Sequence, residues 1–227
     1  VSSADAARLR LFQLVSPALP VGAFSYSEGL EVLVQRGAIA GAEALEYWLS
    51  DELRRGAVAL EAAGLSALQS VLRLHQGGGA DLSAAAELDG WLLAQREAAE
   101  VRAQQRQMGQ SLLQLLADLG WPLCPGAPLL AWPAAFAWAS LCLEIGSPAM
   151  EEAYLYSWVA NQISAAVRLV PLGPTQGQRL QLALAALIAE RAQDLAQRDP
   201  RQLHNGGVGA GLAQLQHAEL YSRLFRS

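Results

Sequence analysis

The chain has 227 residues, 52% of them hydrophobic and 16% charged, with a formal net charge of −5. That length can bury a sizeable core, and a charged share below the roughly 25% of an ordinary soluble domain leaves apolar surface for a partner. An acidic balance without a long basic run argues against a nucleic-acid partner. Two cysteines, Cys124 and Cys142, with no CxxC, cannot make a disulfide framework and are expected as buried thiols.

Helix formers dominate and alternating β-branched runs are absent, so the sequence predicts an all-α, single-domain multi-helix bundle spanning residues 1–227. The first helix is expected over 4–15. Its Asp5, Arg8 and Arg10 fall where a signal peptide needs apolar residues, which points to a cytoplasmic chain. Residues 16–31 read SPALPVGAFSYSEGLE. Pro17 and Pro20 disfavour helix there, and Ser25-x-x-Glu28 has the spacing of a capping box opening a helix over 26–36. Phe24 and Tyr26, at the mouth of that helix, are left unexplained by capping.

Further helices are expected over 42–73, divided at Gly56 and Gly64, and over 82–118, divided at Gly90 and Gly109. Gly77-Gly78-Gly79 separates the two. No charged residue occurs from Leu119 to Leu143, long enough to raise a membrane span. Pro122, Pro125, Pro128 and Pro133 break its first half, so a loop and a core helix over 133–143 are expected, with no membrane partner. Helix 149–169 is apolar nearly all round, as central bundle helices are. A helix over 176–197 follows the break at 171–174. The Asn205–Gly211 run is expected to be a flexible tether, making 205–227 a docking tail whose helix over 213–225 pairs Leu220/Leu224 and Tyr221/Phe225 at i,i+4.

Reactive chemistry is sparse. No GxxxxGK[ST], GxSxG or HExxH occurs, and His75, His204 and His217 are scattered, so no P-loop and no tightly chelating metal site is expected. Glu151–Glu152 and Glu43/Glu46 sit at helix starts or on polar faces and read as solvated charges that compensate helix dipoles. No catalytic constellation emerges.

Three stretches in order along the chain, SPALPVGAFSYSEGLE, YSWVANQISAAVRLVPLGPTQGQRL and HAELYSRLFRS, resemble the UreF family of urease accessory proteins. The resemblance runs from Leu9 to the last residues. It implies an all-helical, often dimeric protein without catalytic activity of its own, one that assembles with UreD (UreH in some organisms), recruits the GTPase UreG and promotes nickel delivery to the urease apoprotein. No cofactor is then bound tightly; nickel is handled by the assembled complex. The alternative is a metallochaperone that binds nickel directly.

The partner-binding positions implied by the resemblance are Pro20, Gly22, Phe24, Tyr26 and Glu31 in the first block, and Asn161, Gln162, Arg168 and Gln178 in the second. His217, Tyr221, Arg223, Leu224, Phe225 and Arg226 complete them in the tail that engages UreD. Tyr26 and Glu31 are expected to serve recognition rather than folding. Pro174 departs from the family pattern, in which glutamine often follows the LG pair.

Overall fold

Proline and glycine punctuate the chain close to the expected breaks. A computed structural model describes residues 3–78, 81–124 and 126–227; the expected breaks at Gly79 and Pro125 lie outside the described residues. The helices are α1 (Ser3–Leu14), α2 (Leu30–Gln35), α3 (Ala42–Arg55), α4 (Ala57–Gln76), α5 (Ser83–Ala94), α6 (Ala99–Asp118), α7 (Trp132–Cys142), α8 (Ala149–Leu169), α9 (Pro174–Leu195) and α10 (Val208–His217), with short 3-10 turns at Ala23–Ser25 and Pro200–Gln202. Among the described residues there is no strand, so the all-α expectation holds.

Helix α7 is the centre. Trp132 to Ser140 are all buried, and its alanines let α4 and α6 approach from either side. Phe136 stacks edge-on to Trp132 at 5.5 Å and to Tyr154 of α8 at 5.1 Å. Each such fully covered side chain contributes on the order of 1.5–3 kcal/mol. Helices α8 and α9 pack along their length, and α3 lies against α9. The stretch Ala42–Gln76 is long and apolar enough to cross a membrane, but 67% of its most apolar window is buried and it is two helices divided at Gly56.

Several glycines act differently from the sequence expectation. Gly56 does end a helix, but Gly64, Gly90 and Gly109 lie inside helices. A Cβ on Gly109 would come within 2.6 Å of the Ala131 carbonyl carbon, so this glycine lets α6 touch the chain entering α7. The break in 82–118 falls instead at residues 95–98, where Arg96 turns inward. Pro174 starts α9, a position where its missing N–H costs nothing, and the Gln176 side chain accepts from the Gly173 N–H at 3.3 Å.

Three further expectations are corrected. Cys124 lies exposed in the loop before α7, and Cys142, the last residue of α7, is half-buried, with burial pushing its thiol up to about 11. Glu151 is fully buried and accepts from Ser147 Oγ at 2.7 Å, so it is not a solvated charge, although Glu43 and Glu46 are exposed. The glycine run is not a tether throughout: Gly209 and Gly211 belong to α10, and residues 218–227 are not helical, so the i,i+4 stripe does not form.

Candidate functional site

The first block folds as a knot of turns. Gly22 adopts φ +73° and leads into the 3-10 turn Ala23–Ser25. Ser25 makes no cap; α2 begins at Leu30, preceded by Glu28 at φ +50° and Gly29 at φ +88°. The capping box is therefore absent, because Glu28 is drawn into the interior. Gly29 is required twice over, by its left-handed φ and because a Cβ would lie 2.9 Å from the Gln214 backbone nitrogen of α10.

Glu28 joins a buried polar cluster. Arg96 holds Glu61 in a two-pronged pair, Nε to Oε1 at 2.7 Å and Nη2 to Oε2 at 2.8 Å, and reaches Glu28 with Nη1 at 3.2 Å. Glu28 also accepts from Gln104 Nε2 at 2.8 Å and Trp158 Nε1 at 3.2 Å, and Glu61 from Tyr154 OH at 2.9 Å. Burial opposes the Arg96 charge, but Glu61 and Glu28 outweigh it and hold its pKa above the ordinary value. Burial, then the Glu61 carboxylate, pushes the Tyr154 hydroxyl well up. A cavity of about 320 Å³ leads from Phe24, Tyr156 and Asn161 at the surface to Glu28 and Glu61 at its floor.

The tail closes over this cluster. The main-chain oxygen of Ser227 accepts from the Ser27 and Glu28 N–H groups at 2.9 and 3.1 Å and from Ser27 Oγ at 2.7 Å. Ser227 Oγ donates to Gln104, and the Arg226 N–H to the Ser25 carbonyl at 2.9 Å. Glu31 accepts from the N–H groups of Leu224 and Phe225 at 2.7 and 3.0 Å. The buried His217 ring lies between Glu31 (3.4 Å) and Glu100 (2.9 Å), and Arg223 pairs with Glu100 at 2.8 Å.

The expected partner positions divide in two. Tyr26, Glu31, Gln162, His217 and Phe225 are buried, so these side chains hold the surface rather than form it. Tyr26 OH bonds Gln107 at 3.0 Å. Gln162 has neither side-chain amide atom paired among the described residues. Outward-facing are Pro20, Phe24, Arg168, Gln178, Tyr221, Arg223, Leu224 and Arg226, with Gly22 and Asn161 half-buried. Arg168 ties the blocks together: it donates to the Phe24 carbonyl at 3.4 Å, covers the Phe225 ring at 4.6 Å and shares a shallow cleft with Gln178.

Sequence reading missed Arg96, Glu61, Gln104 and Glu100. A signal for Glu61 does exist: it is the one charge in the otherwise apolar run AVALEAAGL, where a lone carboxylate needs an internal partner. Among the described residues, no group of three or more His, Cys, Asp or Glu is arranged to hold a metal ion.

Comparison with known proteins gives the family. A family profile described as UreF matches residues 39–185. A urease accessory protein UreF from Alkalilimnicola ehrlichii is 40% identical over 97% of this chain and 96% of its own length. The protein of the same name from a Nostoc species is 41% identical over 96% and 95%, and one from Prochlorococcus marinus 34% over 95% and 96%. With three resembling blocks folded onto one face and relatives matched along nearly their whole length, the chain belongs to the UreF family of urease accessory proteins.

Proposed function

We propose that this chain is a non-catalytic cytoplasmic scaffold of urease maturation: it binds UreD (UreH), recruits and regulates the GTPase UreG on the urease apoprotein, and so promotes nickel insertion, acting as a homodimer. The observation that carries this reading is the convergence of three sequence-distant blocks on one face. Arg168 reaches the Phe24 carbonyl, covers Phe225 and shares a cleft with Gln178; Phe24, Arg168, Gln178 and Leu224 are exposed, over an internal frame of Glu31, His217 and Phe225. Exposed aromatics and arginines on a rigid frame suit a protein partner, since they present large contact area with little ordering cost. Nickel is cargo in this scheme, and no side chain of this chain is assigned to it. Co-purification with UreD and UreG, with UreG hydrolysis measured with and without this chain, is the test. Failure to form the ternary complex, or an unchanged hydrolysis rate within it, overturns the proposal.

A further inference from the structure

A second cavity of about 330 Å³ opens between the end of α3, the 95–98 turn and residues 204–214. Glu52 lies in its wall and is only 7% exposed. Its carboxylate has no hydrogen-bond partner among the described residues. Glycine makes the room: a Cβ on Gly207 would lie 3.1 Å from both Glu52 oxygens, and one on Gly56 would collide with the carboxylate. Glu97 lines the same cavity from the 95–98 turn, its Oε2 near Gly211 of α10, and its side chain is likewise unpaired among the described residues.

The nearby amide and guanidinium side chains are already engaged. Arg96 is held by Glu61 and Glu28. Gln95 Nε2 donates to the Trp91 carbonyl, Asn205 Nδ2 to the Gln95 carbonyl and Gln214 Nε2 to the Glu28 carbonyl. The Gly207 N–H donates to Asn205 Oδ1. The side chains left toward the space are two carboxylates and the His204 ring, beside the first-turn backbone N–H groups of α10. These three are not grouped as metal ligands. An ammonium group carries one positive charge, three N–H donors and no acceptor, which is the complement of the two carboxylates.

We propose that this cavity is a binding site for a primary ammonium group, supplied by a small free amine or by a lysine side chain of a partner. Glu52 supplies the buried charge-assisted hydrogen bond and Glu97 the one at the mouth. Binding strengthens as pH rises through about 7, where Glu52 ionises: burial raises it, Arg96 and Arg55 act downward, and Glu28 and Asp51 upward, with Glu97 and His204 across the space.

The test is titration of the full-length, 15N-labelled chain with methylammonium chloride, following the Gly207 and Gly211 amide resonances. Tetramethylammonium chloride, which has no N–H, is the control at equal ionic strength. Expected are saturable shifts with methylammonium only, weakened about tenfold in Glu52→Gln, as for loss of one charge-assisted hydrogen bond. Glu97→Gln, at an exposed position, weakens them too and keeps the test open should the Glu52 variant not fold. Saturation by the peptide acetyl-Gly-Lys-Gly-amide assigns the ligand as a side chain; saturation by methylammonium alone assigns a free amine. Unsaturable shifts, equal response to tetramethylammonium, or unchanged affinity in the variants that fold overturn the proposal.

Discussion

Glu31 and Phe225, 194 residues apart, are joined directly: the Phe225 N–H donates to the Glu31 carboxylate at 3.0 Å. The same carboxylate takes the Leu224 N–H at 2.7 Å and faces His217. One side chain in the first turn of α2 thus fixes the course of the tail.

Glu31→Ala is expected to release that tail. It strands two backbone donors, each costing about 1–3 kcal/mol if left buried, or frees the segment to pair with water. Hydrogen exchange over residues 218–227 should accelerate and the melting temperature fall. Unchanged protection of Phe225 would show that the tail is held elsewhere.

Arg96→Met should be among the most destabilising single changes. It leaves Glu61 and Glu28 as buried, uncompensated carboxylates, a loss of about 3–5 kcal/mol for a broken buried pair. Urea denaturation at pH 7 measures this; a midpoint unchanged from wild type would show that the pair contributes nothing to stability.

Glu52 gives a pH signature of the opposite sign to a salt-bridged carboxylate. Burial raises it from 4.5 to about 7, so between those values the folded state holds a proton that the unfolded chain has lost. Stability therefore falls as pH rises from about 4.5 to about 7, by about 3 kcal/mol in all if the shift is fully realised. Glu52→Gln should flatten that slope in denaturation midpoints taken at pH 5 and 7.5; an unaltered slope would assign it to other groups, such as Asp89, raised by burial to about 6.

Two helical glycines should respond in opposite directions. Gly109→Ala forces a Cβ against the Leu130–Ala131 backbone and is expected to cost about 1–3 kcal/mol, as overpacking does. A Cβ on Gly90 meets nothing within 4 Å, so Gly90→Ala should stabilise by up to about 1 kcal/mol through helix propensity. Thermal melts of the two variants compare them directly.

Tyr221 is fully exposed. Tyr221→Ala should leave the melting temperature unchanged while weakening co-purification with UreD. Full retention of UreD would move the contact off the tail.

Local composition was enough to determine most of the fold. Helix α8 begins and ends at the residues its periodicity indicates, and α7 stands where the proline-rich stretch gives way to WPAAFAWASLC, because helix propensity and proline stops act within a few residues. Tertiary contact decided the rest. Ser25-x-x-Glu28 satisfies a capping rule, yet Arg96, 68 residues away, offers Glu28 a charged partner in the interior, and the local cap yields to it. Gly109 reads as a break until Leu130 and Ala131 lie against it. The tail reads as an i,i+4 helix until Glu31 takes its Leu224 and Phe225 N–H groups, which a continuing helix would have bonded to its own carbonyls. Local propensities of tenths of a kcal/mol per residue are readable from sequence; buried pairings of several kcal/mol, between residues tens of positions apart, become visible only once the chain has brought them together.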